Sequence, residues 1–478
     1  MVYFANPTSF ARLGSRLWVQ GSFIMNRTIF KAYDIRALAP QEIDVTVAER
    51  IARAIVTLHR PRTVVVGRDM RLTSDEIEAG VVRGFTAMGV DVVRIGLCST
   101  PLFNFAIGES AGAYDLGVMV TASHNPAEYN GLKLTKGDNT PIGQGSGMEE
   151  IRDLCLSNTE LPNAAQPGKV TQDDGTLKRY IDVLMRLAKL PDDLPANVRI
   201  AVDAGNGMNG YVLPALAERL PGVQIIPLYW DLDGSFPNHE ANPLKVETLT
   251  ELKKTVVERG CMFGAAFDGD GDRVGFVDET GYAIPGDILT ALLAKELLRE
   301  SPGGHIIFDV RSSRAVGEIV TEAGGTSEMS RVGHAFIKRR MKETNAIFAG
   351  ELSMHFYFRE FWNCESSDYT MLLILRMMLR EQKTLSELWK PFMRYVHSGE
   401  MNFDVQDPHA KIDEIATAYG STGANISRID GVRIDFDDWW FNVRASNTEP
   451  LLRLNLEART EREMMKHRDE LKRLIKGL

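Results

Sequence analysis

Long apolar runs are missing from this sequence. None approaches the ~18 residues needed to cross a bilayer, so no membrane span is expected. Cysteine is scarce: Cys98, Cys155, Cys261 and Cys364 lie far apart, with no CxxC pair. That argues against a disulfide scaffold and a zinc site and fits a reducing cytoplasm. An excess of positive charge is absent too. The net charge of -9 argues against non-specific nucleic-acid binding. The opening stretch "MVYFANPTSFARLGSRLWVQGSFIM" contains no acid and no continuous apolar h-region. A secretory signal is therefore not expected. Its Arg and Ser content is similar to that of an organelle transit peptide. The simpler reading is a tail over residues 1–25 from an upstream start, with the folded part opening at Met25.

What is present suits several packed cores. The 478 residues are 44% hydrophobic and 25% charged, which predicts three or four domains. Three segments share one layout of apolar strand, polar or Gly-containing loop and helical pattern. They are "RTVVVGRDMRLTSDEIEAGVVRGFTAMG", "VRIAVDAGNGMNGYVLPALAERL" and "HIIFDVRSSRAVGEIVTEAGG". Strands alternating with helices indicate βαβ units. The expected fold is therefore three similar α/β domains with mixed, mostly parallel sheets, followed by a smaller α+β domain. The expected divisions are 26–168, 169–282, 283–395 and 396–478, with the polar stretch "SNTELPNAAQPGKVTQDDG" closing the first domain.

Four loops contain residues suited to chemistry. In "TASHNPAEYNGLKL" the hydroxyl of Ser123 follows an apolar run, with His124 as a candidate proton acceptor and Lys133 as a positive charge. An ordinary Asn-Pro turn accounts for the same residues equally well. In "FDGDGDRVGF" the carboxylates of Asp268, Asp270 and Asp272 alternate with glycines. Crowded carboxylates repel unless a cation or water relieves them, and hard oxygens suit Mg²⁺ or Ca²⁺. An EF-hand is rejected, because Arg273 stands where that loop needs Gly and both flanks read as strands.

In "GELSMHFYF" Glu351, Ser353 and His355 alternate, so an extended segment would point them to one side, toward sugar hydroxyls. In "RASNTEP" Arg444, Ser446, Asn447 and Thr448 gather donors in one turn, with a guanidinium suited to phosphate. A fifth stretch, "GNGMNG", matches the dinucleotide fingerprint, with Asp231 after the next strand. Glycines between a strand and a helix also serve plain turn geometry, and a nicotinamide enzyme would leave the other loops unexplained.

Together these loops resemble the α-D-phosphohexomutase superfamily, and within it the phosphomannomutase/phosphoglucomutase group. "FKAYDIR", "GRDMR", "TASHNP" with "NGLKL", "DGDGDR", "VGHAFIK", "GELSMH" and "RASNTEP" occur in the family's order. The resemblance implies a mutase interconverting hexose 1-phosphate and hexose 6-phosphate, of mannose and/or glucose, in a central cleft. It implies a phosphoserine at Ser123, a hexose 1,6-bisphosphate intermediate and activator, and Mg²⁺ held by Ser123, Asp268, Asp270 and Asp272. By the same resemblance His124, Lys133, Arg273, His334 and His355 are catalytic. Tyr33, Arg36, Asn125, Arg311, Glu351, Ser353, Arg444, Ser446, Asn447 and Thr448 contact substrate. The implied partners are sugar phosphates, with no nucleic acid and no membrane, and the implied form is a cytoplasmic monomer or dimer.

Some positions depart from the family. Met354 replaces a small residue, which predicts a narrower sugar pocket. Val332 stands where relatives often have Thr, Arg311 replaces a frequent Lys, and "CESSD" departs from "DDG". The rival readings are a phosphoglucosamine mutase, a dinucleotide-dependent oxidoreductase and a non-catalytic sugar-phosphate binder.

Overall fold

The computed structural model describes residues 25–191, 194–195, 198–445 and 451–477. Each of the three sequence segments with the strand–loop–helix layout forms that unit. Their strands, Thr63–Arg68, Val198–Asp203 and His305–Asp309, lie inside three different sheets. All three pair in parallel on both sides, and antiparallel strands complete each sheet. Buried strands such as Leu116–Val120 read as continuous apolar runs because helices cover both faces. The first sheet takes a further parallel strand, Val170–Gln172, from inside the polar linker, past the division expected at residue 168. The fourth sheet is antiparallel throughout, and the helices Pro408–Tyr419 and Glu461–Lys476 pack on it.

The way the cores divide positions the site. One apolar core runs continuously from Leu102 and Phe103 of the first domain, through Phe263 and Phe276, to Phe348 and Leu372 of the third. The helix Ser367–Glu381 is buried from Ser367 through Met378, as its nearly unbroken apolar sequence predicts. The C-terminal domain keeps a separate core around Val443, Leu454 and Leu471. It rests on the third domain through two arginines. Arg433 donates to the carbonyls of Val310 and Ser312, and Arg314 to those of Phe436, Asp437 and Trp439. All four cysteines are free and buried. Among the described residues no helix is long and apolar enough to cross a membrane.

Candidate active site

Ser123 lies in the loop between the antiparallel strands Leu116–Val120 and Tyr129–Lys136. Its backbone is left-handed (φ 52°), a conformation that costs a non-glycine residue on the order of 1 kcal/mol. The loop is held in this shape from below. Thr121 Oγ1 accepts the Ser123 N–H at 3.0 Å, and the buried guanidinium of Arg71 donates to the carbonyls of Ser123, Asn125, Pro126 and Tyr129. Arg71 is balanced by Asp69 at 3.3 Å.

The loop that carries Asp268, Asp270 and Asp272 crosses directly over this turn. The Ser123 carbonyl lies 2.4 Å from where a Cβ on Gly269 would stand, so only glycine permits the approach. The Ser123 hydroxyl then donates to Asp268 Oδ2 at 3.0 Å and lies 3.2 Å from His124 Nδ1. Asp268, Asp270 and Asp272 are buried, and one ligand atom from each lies within 4.8 Å of the others. Asp270 Oδ1 is buried without a hydrogen-bond partner. Asp272 Oδ1 is buried without a hydrogen-bond partner among the described residues as well, and three converging carboxylates with two orphaned oxygens fit a small divalent cation.

Lys133 Nζ lies 2.6 Å from both Asp270 and Asp272, and Thr100 Oγ1 donates to Asp270 at 2.6 Å. Burial disfavours the charge on Lys133, but Asp270 and Asp272 outweigh it and hold the ammonium protonated. Burial, then Asp272 and Asp270, raise the Asp268 carboxyl well above the usual range. Burial also works against ionisation of Asp272, yet Lys133 and His355 hold it well below that range. Burial, reinforced by Arg273 and Arg36, keeps His124 neutral.

Three successive carbonyls of this aspartate loop are each claimed by a different domain. The Met208 N–H donates to Gly269, the Thr100 N–H to Asp270, and the Ser367 hydroxyl to Gly271. The first contact explains "GNGMNG". A Cβ on Gly207 would lie 2.8 Å from the Gly269 carbonyl, so this glycine serves close chain packing. The Met208 N–H, at the helix start where a dinucleotide phosphate would bind, is already spent. The third contact gives "CESSD" a role: Ser367 holds the aspartate loop, and Asp368 accepts from Tyr180 and Asn209.

The "GELSMHFYF" stretch departs from the expected extended segment. Residues 351–355 form a turn between the strands Phe348–Gly350 and Phe356–Phe358, with Met354 left-handed at φ 66°. The polar side chains still converge, because the turn folds them together. His355 Nδ1 lies 3.0 Å from Ser353 Oγ and 3.5 Å from Glu351 Oε1, and its Nε2 accepts from Arg273 at 3.2 Å. Glu351 is buried rather than on an exposed edge, and accepts from Tyr357 and from the Gly333 N–H. Met354 joins the apolar core, its sulfur 3.0 Å from the Cβ position of Gly275, so its bulk is spent on the second domain and not on narrowing a pocket.

Tyr33 reaches from the first domain to donate to the Val332 carbonyl, and its ring meets His334 edge-on at 5.6 Å. Val332 therefore contributes through its backbone, whose N–H also donates to the Asp430 carboxylate of the C-terminal domain. His334 is held neutral by burial and by Lys338 and Lys133. Arg36 links Asp34 to Asn125. Arg311 is paired with Asp309 at 2.8 Å and stands 3.9 Å from Glu351. Arg444 is buried and paired with Glu400. Ser446, Asn447 and Thr448 lie outside the described residues. Sequence reasoning missed Arg71, Thr100 and Ser367 as supports of the site. Only "GRDMR" carried a signal for the first.

Four phosphoglucomutase/phosphomannomutase family models together match most of the chain. They are alpha/beta/alpha domain I over residues 27–161, domain II over 178–281, domain III over 285–395 and the C-terminal domain over 400–474. A phosphomannomutase of Methanocaldococcus jannaschii is 39% identical over 458 residues, covering 94% of this chain and 98% of that protein. One of Escherichia coli K12 is 37% identical, covering 92% and 97%. A phosphoglucomutase/phosphomannomutase family protein from Burkholderia thailandensis superposes with a TM-score of 0.86 at 32% identity, covering 95% and 98%. An N-acetylphosphoglucosamine mutase of Aspergillus fumigatus, in complex with GlcNAc-6P and magnesium, shares the fold with a TM-score of 0.62 at 15% identity, covering 94% and 95%. The chain therefore belongs to the phosphoglucomutase/phosphomannomutase family and is a phosphohexomutase, an isomerase that relocates a phosphoryl group on a hexose.

Proposed function

We propose that the enzyme interconverts the 1-phosphate and 6-phosphate of mannose and/or glucose through a phosphorylated Ser123 and a hexose 1,6-bisphosphate. The observation that carries this reading is the 3.0 Å approach of the Ser123 hydroxyl to Asp268 in a buried carboxylate triplet. The bond from Ser123 Oγ to phosphorus breaks as the sugar's free hydroxyl oxygen bonds to phosphorus, and the hydroxyl proton passes to a base. The bisphosphate turns around, and its other phosphoryl returns to Ser123. Asp268, Asp270, Asp272 and a phosphoserine oxygen would hold Mg²⁺, which when bound offsets charge on the transferring group. The magnesium of the Aspergillus complex supports that choice of ion.

The remaining residues divide the work. Lys133 and Arg273 flank the transferring phosphoryl group with fixed positive charge. His124, held neutral within reach of Ser123 Oγ, accepts or returns the serine proton. Glu351 and Ser353 bind sugar hydroxyls, and His334, His355, Tyr33, Arg36 and Asn125 line the substrate. Arg311, Arg444, Ser446, Asn447 and Thr448 hold the phosphate that is not being transferred. The separate core of the C-terminal domain favours a swing of that domain over the cleft. Domain divisions after Gln172 and at 282 and 395, a monomer or dimer, and a cytoplasmic setting complete the reading.

A coupled assay on mannose, glucose and glucosamine 1-phosphates tests it, with and without Mg²⁺ and a 1,6-bisphosphate. Turnover of the first two, dependent on both additions, is expected. Preference for the amino sugar, or no turnover, would overturn the sugar assignment or the reaction respectively.

A further inference from the structure

Glu400 belongs to no loop that carries the reaction, yet it stands among three arginines. Its Oε2 accepts from Arg444 Nη2 at 3.1 Å and from Asn455 Nδ2 at 3.3 Å, and lies 3.8 Å from Arg311 Nη1. Its Oε1 accepts from Arg453 Nη1 at 3.1 Å. Arg311 comes from the third domain and the other partners from the fourth, so this carboxylate bridges the two. Arg311 continues to Glu351 of the "GELSMHFYF" stretch. The Glu400 side chain is 25% exposed, while Arg444 is 2% exposed and its Nε has no hydrogen-bond partner among the described residues. Burial pushes the Glu400 carboxyl up, but the three arginines outweigh it and hold it below its ordinary range.

A carboxylate surrounded by guanidinia presents acceptor oxygens as a bound phosphate does, with about half to two-thirds of its charge. We propose that Glu400 is a positioning residue that occupies the arginine cluster as a built-in anion and weakens its grip on the incoming phosphate. The inference rests on the reading that Arg444 holds the non-transferred phosphate. The chemistry gives such weakening a purpose. A bisphosphate must release one end, turn and be gripped by the other. A fully uncompensated arginine cluster would bind intermediate and substrate alike and slow that turn. Glu400 keeps the guanidinia aligned between turnovers and competes for them when the phosphate must leave.

The test is inhibition by inorganic phosphate against glucose 1-phosphate. In Glu400→Gln the inhibition constant for phosphate should fall roughly tenfold, the size of one nearby charge in a partly exposed site. KM and kcat should fall together, as for a ligand held too tightly. Glu400→Asp, which keeps the charge, should stay close to the parent. If Glu400→Gln does not fold, Glu400→Ser carries the same expectation. An unchanged or raised inhibition constant in a folded neutral variant overturns the proposal. Arg444→Ala is the control for the underlying reading. If it leaves phosphate inhibition of the parent enzyme unaltered, the phosphate grip has been misplaced, whatever Glu400 does.

Discussion

The Ser123 hydroxyl donates to Asp268 across 3.0 Å, although 145 residues separate the two in sequence. Two loops of different domains meet there because Gly269 has no side chain to keep them apart. The contact places the hydroxyl against the carboxylate triplet, and several measurable consequences follow from its geometry.

Ser123→Ala should remove both the covalent phosphoryl group and turnover. Intact mass spectrometry of the purified enzyme should show the added phosphoryl only in the parent. The loss in kcat should be about 10⁴-fold or more, since no other group substitutes for a covalent nucleophile. A variant that keeps the extra mass, or most of the rate, would place the phosphoryl group elsewhere.

The approach of the two loops can be pushed apart without touching a polar group. Gly269→Ala puts a methyl 2.4 Å from the Ser123 carbonyl, so backbone must shift. An overpacking cost of about 1–3 kcal/mol is expected from urea unfolding, with a fall in kcat on the order of 10² from misplacement. Full activity at unchanged stability would show that the contact tolerates movement.

Arg71→Gln should act on the same turn from beneath. It leaves Asp69 buried without its cation and four carbonyls without their shared donor. The expected loss is about 3–5 kcal/mol, measured by denaturant unfolding. At temperatures where the variant stays folded, kcat should fall with little change in KM.

The triplet should answer to metal removal. Dialysis against EDTA should abolish turnover, and Mg²⁺ should restore it. Asp270→Asn should raise the Mg²⁺ concentration for half-activity by about 10-fold or more, because one of three charged oxygen donors is lost. Full activity of the dialysed, chelated enzyme would remove the ion from the mechanism.

Away from the triplet, Asp368 makes stability depend on pH. Burial raises its carboxyl from 3.8 to about 6, against the hydrogen bonds of Tyr180 and Asn209. The folded state therefore binds the proton more tightly than the unfolded chain. Its contribution is fully present below pH 3.8 and is lost as pH rises to about 6. Relative to Asp368→Asn, the parent should lose about 3 kcal/mol over that window. Equal slopes of unfolding free energy against pH in the two proteins would show that Asp368 titrates normally.

Much of the site was legible in the sequence, and the gaps have a physical pattern. Ser123 and the Asp triplet could be read because charge repulsion and an interrupted apolar run leave local marks. Glu351, Ser353 and His355 were legible as a group, but alternation suggested an extended strand where Met354 turns the chain through a left-handed residue. Ser367 was invisible as a support, and Arg71 was marked only by "GRDMR", because their targets are backbone carbonyls, which have no residue identity to read. Glu400 gave no signal because its three arginines come together only when two domains dock. Of the "GNGMNG" glycines, read as turn formers, Gly205 has the positive φ of a turn, but Gly207 serves the close approach of Gly269, which lies out of reach of local pattern.

The three carbonyls of Gly269, Asp270 and Gly271, each bonded to another part of the molecule, have a consequence for engineering. A chimaera that transplants one domain from a relative inherits only part of this brace. The donors at Thr100 and Met208 are backbone N–H groups that any residue but proline supplies, so the recipient must match the domain docking and the hydroxyl of Ser367. Grafts that exchange these contacts as a unit should retain a working ion cradle, whereas piecemeal recombination at the linkers should yield folded but inert hybrids.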